Sequence, residues 1–132
     1  MIVFADTFAL LAWLNPRDES HAKVTAYLDG FTGRLLTTEW VLMEVADALS
    51  APTARRTAVA FLQAVRADPM FEVIGYDAAV YGAGFELFSA RPDKGWSLTD
   101  CISFAVMTDR GVTDALTADK DFEQAGFRAV FK

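Results

Sequence analysis

The chain has 132 residues, 53% of them hydrophobic, which is the size and composition of one domain that buries its own core and excludes a disordered chain. Its one cysteine, Cys101, excludes an intrachain disulfide framework and fits a reducing cytosol. A formal net charge of −6 argues against a protein that grips nucleic acid through a broad basic surface.

Ile2 to Ala5 is a continuous apolar run that stops at Asp6, the pattern of a buried strand. Thr7 to Leu14 reads as a short helix ended by Asn15-Pro16, because the residue before proline is pushed out of the helical region. His21 to Leu28 reads as a second helix stopped near Gly30. Arg34 to Thr37 is a second short strand, and Thr38 to Leu49 an amphipathic helix. Ala54 to Val65 is another helix, with Ala58, Phe61, Leu62 and Val65 on one stripe and Asp68-Pro69 as its breaker. Phe71 to Ile74 is a third strand. Asp77 to Phe88 is helical although Gly82 and Gly84 weaken it. Arg91 to Gly95 is a polar loop. A helix then runs from Ser97 to about Asp109 and stops at Gly111. Asp114 to Thr117 is a fourth strand, Asp119 to Gln124 a helical turn, and Phe127 to Phe131 a fifth strand.

Strands alternating with helices predict an α/β fold, a parallel sheet wrapped by helices on both faces. Such sheets carry their sites beyond the carboxyl ends of the strands, where strand order reverses. No apolar run approaches the ~20 residues that cross a bilayer. No basic segment precedes the opening apolar run, so no signal peptide is expected. A cytoplasmic protein without a membrane partner is the expectation.

The acids fall where that rule looks. Asp6 directly follows the first strand, and Asp119 follows the fourth by two residues. Asp100 lies in the first turn of the helix that starts at Ser97, and Glu44 lies inside the helix after the second strand. Each has a local explanation to set beside a shared one. Asp6 can cap the helix that begins at Thr7. Ser97 and Asp100 have capping-box spacing. Asp119 can be a turn or cap residue. Glu44 is harder to explain locally. It borders the apolar stripe of Val41, Leu42, Val45, Ala48 and Leu49, with no cationic partner at helical spacing, and a partly buried carboxylate is costly unless something pairs with it. Three or four acids without His or Cys suit Mg2+ or Mn2+. The lone His21 and lone Cys101 argue against zinc and against a Ser/His/Asp triad. Two divalent ions would also bring the net charge to about −2, so an acidic chain can still meet a polyanion.

The order of these segments resembles the PIN-domain family, and within it the VapC-like toxins of toxin–antitoxin pairs. Phe4-Ala5-Asp6-Thr7-Phe8-Ala9-Leu10-Leu11 resembles the family's first motif. Thr37-Thr38-Glu39-Trp40-Val41-Leu42-Met43-Glu44-Val45 resembles the second. Ser97-Leu98-Thr99-Asp100-Cys101-Ile102-Ser103 resembles the third, and Ala115-Leu116-Thr117-Ala118-Asp119-Lys120-Asp121-Phe122 the last. The resemblance covers nearly the whole chain. It implies a three-layer α/β/α sandwich around a short, mainly parallel five-stranded sheet. It implies RNA phosphodiester hydrolysis, with Asp6, Glu44, Asp100 and Asp119 as ligands of one or two Mg2+ or Mn2+ ions, and Asp121 sharing or exchanging the role of Asp119. Thr7 and Thr117 become supporting or phosphate-contacting groups. A homodimer and a small cognate antitoxin are the implied protein partners.

Arg91, Lys94 and Lys120 lie in loops near Asp100 and Asp119 and are the candidate phosphate contacts, set against ordinary solvated charge. Trp96 either stacks on a base or packs over the helix start. Cys101 reads as a small buried hydrophobe. Two other functions compete with the nuclease. One is a PIN-like binding module without turnover, which the retention of every acid disfavours. The other is a receiver-like phosphoacceptor, which needs paired acids where this chain has Ala5-Asp6, and a Lys after the fifth strand, where this sequence ends.

Overall fold

The first strand is apolar at consecutive positions because both of its faces are covered: Val3, Phe4 and Ala5 are fully buried. The computed structural model describes residues 1–132. Its elements in chain order are β1 (Ile2–Ala5), α1 (Thr7–Leu14), α2 (His21–Asp29), β2 (Arg34–Thr38), α3 (Glu39–Ala48), α4 (Arg55–Ala67) and β3 (Phe71–Ile74). They continue with α5 (Ala78–Ala90), α6 (Leu98–Arg110), β4 (Asp114–Leu116), α7 (Lys120–Gln124) and β5 (Arg128–Ala129). All five strands pair in parallel, in the order β3-β2-β1-β4-β5. The seven helices flank this sheet, making the expected three-layer α/β/α sandwich. No helix is long and apolar enough to cross a membrane.

The strand order runs outward from β1 in both directions, so it reverses between β1 and β4. A receiver-type sheet has the order 2-1-3-4-5, so the phosphoacceptor alternative is removed by topology. Leu35, Leu36, Ala115 and Leu116 are buried beside β1. Phe104 of α6 packs edge-on against Phe122 of α7 at 4.9 Å, and Phe122 lies 6.5 Å from Phe4. Phe122 therefore anchors a helix of only five residues, too short to hold itself together.

Several expected boundaries shift for physical reasons. Thr38 ends β2 instead of opening the helix; its hydroxyl caps α3 by accepting the Val41 amide at 3.2 Å. Asp77 likewise caps α5, accepting the Ala79 and Val80 amides, and does not join it. β4 stops at Leu116 because the Thr117 amide bends back to the Ala115 carbonyl at 3.0 Å, a tight turn of a kind common at strand ends. β5 shortens to Arg128–Ala129 because the Lys132 amide closes a turn onto the Ala129 carbonyl. Gly111 stops α6 with φ 65°, the left-handed conformation that glycine adopts without steric cost.

Gly84 has a packing function that its low helix propensity conceals. A Cβ there would stand 2.3 Å from Ile102 Cγ1 and 2.7 Å from Ile102 Cα. Its absence lets α5 lie directly on α6. Gly82, on the same helix, faces open space.

Candidate metal centre

Asp6 leaves the end of β1 at the point where strand order reverses. Its neighbour Ala5 is in register with Leu116 of β4, so Asp6 and Thr117 emerge side by side. Thr117 Oγ1 donates to Asp6 Oδ2 at 3.0 Å, and accepts the Asp119 amide at 3.1 Å. Asp119 Oδ1 in turn accepts the Asp121 amide at 2.9 Å and caps α7. On the other side of β1, the buried Thr37 hydroxyl donates to the Ala5 carbonyl at 3.0 Å. Sequence reasoning does not single out Thr37 as a functional residue. Its signal is weak: a hydroxyl inside a strand whose neighbours are apolar. Asp6 occupies the N-cap position of α1 but makes no side-chain capping bond, so the local explanation of this acid fails. It is 7% exposed.

Glu44 has a partner that helical spacing could not reveal. Thr7 Oγ1 donates to Glu44 Oε1 at 2.6 Å, across 37 residues of sequence. Thr7 opens α1, and α1 packs against α3. Glu44 still has no cationic partner; the neutral Thr7 hydroxyl satisfies one of its oxygens.

Asp100 does two jobs. It completes a capping box, accepting the Ser97 amide at 3.3 Å while its own amide donates to Ser97 Oγ at 3.0 Å. It also faces α7: one carboxylate oxygen from each of Asp100, Asp119 and Asp121 lies within 4.8 Å of the others. Asp119 and Asp121 therefore both belong to the cluster.

These acids repel one another without a cation between them. Asp6 is pushed up to about 7, first by burial and then by the charge of Asp100, with a smaller push from Glu44; hydrogen bonds from Thr7 and Thr117 oppose the rise. Asp100 is pushed up to about 6, chiefly by burial and then by Asp119 and Asp121, against the hydrogen bonds from Ser97. Asp121 is raised by burial and by Asp119, with Lys120 acting in the opposite sense. No salt bridge engages Asp6, Glu44, Asp100, Asp119 or Asp121; the ion pairs of the molecule fall on other acids. A crowded, unpaired, all-oxygen donor set matches the chemistry of a hard divalent ion. His21 Nδ1 is 2.8 Å from the Ala12 carbonyl, a bond that ties α2 to α1 and takes no part in this cluster.

The expected phosphate contacts are arranged differently from one another. Arg91 is already engaged in a two-point bond with Asp93 at 3.0 Å, and its guanidinium lies 5.4 Å from the centre of the Trp96 ring. Lys94 Nζ stands 5.9 Å from the same ring and forms no ion pair of its own. Lys120 opens α7 beside the cluster and is exposed. Trp96 is 5% exposed, donates to Gln124 Oε1 at 3.3 Å and packs edge-on against Phe104, so the packing explanation holds for it. Cys101 is buried.

Comparison with known proteins places this geometry in context. The PIN domain family model matches residues 3–128. The 23S rRNA-specific endonuclease VapC20 of Mycobacterium tuberculosis is 29% identical over 126 residues, covering 96% of this chain and 95% of the relative. The crystal structure of that VapC20, described as a Sarcin-Ricin loop cleaving toxin, superposes with a TM-score of 0.89 at 28% identity, covering 98% of each chain. VapBC2 from Rickettsia felis, solved bound to a DNA fragment from its promoter, shares the fold at a TM-score of 0.67 and 16% identity, over 98% of this chain and 96% of that one.

Proposed function

The chain belongs to the PIN-domain family, and from that premise we propose that it is a Mg2+- or Mn2+-dependent endoribonuclease, the toxin of a toxin–antitoxin pair. The observation that carries the reading is the convergence of Asp100, Asp119 and Asp121 within 4.8 Å, with Asp6 electrostatically coupled to Asp100. Likeness to a 23S rRNA-specific endonuclease over nearly the full length of both chains supports RNA as the substrate, and an rRNA loop as the first RNA to test.

Asp100, Asp119 and Asp121 would hold the ion, with Asp6 and Glu44 completing the acidic wall. When bound, a divalent cation supplies neutralisation of charge on the phosphate and a more acidic water. The protein's own part is positioning. Thr117 holds one oxygen of Asp6 and the amide that leads into Asp119. Thr7 fixes Glu44, and the Ser97 capping box fixes Asp100. Asp6, Asp100 and Asp119 are then preorganised at element ends and Glu44 on the body of α3, so little reorganisation is needed as substrate arrives. None of them is a nucleophile in this scheme.

A cytoplasmic location, a homodimer and a cognate antitoxin follow from the same reading. The acidic groove would be the target of that antitoxin's basic segment. The binding-module alternative differs in one respect, turnover. Purified protein incubated with 23S rRNA and Mn2+ should give discrete cleavage products that EDTA and Asp100→Asn both abolish. Intact rRNA under saturating Mn2+, with the metal bound, would favour the binding module.

A further inference from the structure

A cavity of about 370 Å³ opens beside the first turn of α6, lined by Phe85, Phe88, Arg91, Lys94, Trp96 and Cys101 among others. That volume lies in the range of small-molecule sites. Its position relative to the acids follows from the chain. The Arg91–Trp96 loop runs directly into Ser97, whose amide and hydroxyl hold Asp100. Cys101, the residue after Asp100, lines the cavity. The cavity and the acidic cluster therefore share one helical turn, a rise of about 5.4 Å.

Its lining is unusual for this molecule. Phe85 and Phe88 are 49% and 44% exposed, adjacent on the face of α5 at a spacing of three residues. Two cations converge on the same opening in a chain whose net charge is −6. Arg91 is neutralised by Asp93 and lies over Trp96. Lys94 forms no ion pair; Asp93, already bonded to Arg91, feels its charge only as a minor contribution. Exposed aromatic faces beside an unpaired cation are what a single-stranded nucleotide recognises: a base stacks, and its phosphate pairs.

We propose that this cavity is a subsite for one unstacked nucleotide of the RNA substrate, its base against Phe85 and Phe88 and its phosphate on Lys94. The inference rests on the ribonuclease reading, because it assigns the cavity to the strand that passes the acids. It adds a reason for selecting unpaired RNA: a base inside a duplex has no free face to offer. Trp96 forms the inner wall and stays packed.

The test is binding of a fluorescently labelled single-stranded RNA octamer in EDTA, read by anisotropy, with hydrolysis assayed separately in Mn2+. Phe85→Ala combined with Phe88→Ala should weaken binding by about tenfold or more, the effect of losing base–aromatic stacking. Both residues are half exposed, so the variant should keep the parent's circular dichroism. Lys94→Gln should reduce the slope of log affinity against log salt by about 0.7, one phosphate contact on a single strand. Asp100→Asn should cut nothing in Mn2+. The octamer annealed to its complement should bind the parent no better than the single strand binds the double variant. Parent binding without Mn2+-dependent cleavage would remove the ribonuclease reading and leave the subsite. Unchanged affinity in the double variant, with cleavage intact, would overturn the subsite alone. So would a double variant that alters only self-association in the ultracentrifuge, which would assign the aromatic face to a second copy of the chain. Failure of the parent to bind the octamer at all would overturn it as well.

Discussion

Thr117 Oγ1 sits 3.0 Å from Asp6 Oδ2, although 111 residues separate them in sequence. The same oxygen accepts the amide of Asp119 at 3.1 Å. One buried hydroxyl thus joins the ends of β1 and β4 at the place where strand order reverses. Replacing it by an isosteric methyl, Thr117→Val, leaves a buried donor–acceptor pair unmade, at a cost of about 1–3 kcal/mol in stability. Cleavage should fall by roughly 10- to 100-fold, the usual loss when a group that orients a metal ligand is removed. Thr117→Ser should recover most of both. Calorimetric Mn2+ titration beside single-turnover cleavage of the three proteins separates orientation from folding.

Asp6→Asn and Asp100→Asn should each abolish cleavage while raising the melting temperature of the metal-free protein near pH 8. Both carboxyls are pushed up by burial and by neighbouring acids, so neutralising either relieves a penalty. For Asp6 the gain should be about 1–3 kcal/mol, since a tenfold change in proton affinity corresponds to about 1.4 kcal/mol and the amide still accepts from Thr117. Differential scanning calorimetry in EDTA reads the sign directly. A loss of stability in both variants would show that the acids are held by attraction and not by the fold.

The raised carboxyls also set the pH dependence of metal-free stability. Folded Asp6 binds its proton up to about 7 and folded Asp100 up to about 6, against an ordinary value of 3.8. Between those limits the native state holds more protons than the unfolded state, so stability falls as pH rises. The contribution is complete below pH ~4 and is lost as pH passes through the folded values. Saturating Mn2+ should flatten this slope, because a bound cation stabilises the charged carboxylates. Urea midpoints measured between pH 4 and 8, with and without Mn2+, check both statements.

The two glycines of α5 should respond oppositely to alanine. Gly82→Ala meets open space and should stabilise by about 0.5–1 kcal/mol through helix propensity. Gly84→Ala drives a methyl into Ile102 and should destabilise by about 1–3 kcal/mol, the cost of overpacking a core contact. Chemical denaturation of the two variants decides it.

That contrast shows where the sequence was legible. Alternating apolar runs and helical stripes located every strand and helix, because strands buried on both faces, such as Val3 to Ala5, leave an unbroken apolar trace. Periodicity could not see Gly84, whose use depends on Ile102 18 positions later. The acids were legible as a set, because Asp6, Asp100 and Asp119 follow or open elements at the carboxyl edge of the sheet and Glu44 lies in the helix that follows β2. Their partners were not. Thr7 and Glu44 meet only because α1 packs on α3, and Thr37 reaches Ala5 only across paired strands. Arg91 reads from sequence as either a phosphate contact or ordinary solvated charge, but Asp93, two residues on, claims it. Local turn chemistry outcompeted the longer-range role, and nothing in the spacing announced it.

The most direct measurement is anomalous diffraction at the manganese edge from a crystal grown with saturating Mn2+. A peak bonded directly to oxygens of Asp100 and at least one of Asp6, Asp119 and Asp121 is the expected result. Manganese bound only at remote surface carboxylates, with those four side chains left uncoordinated, would contradict the assignment of this sheet edge as a metal-dependent nuclease centre.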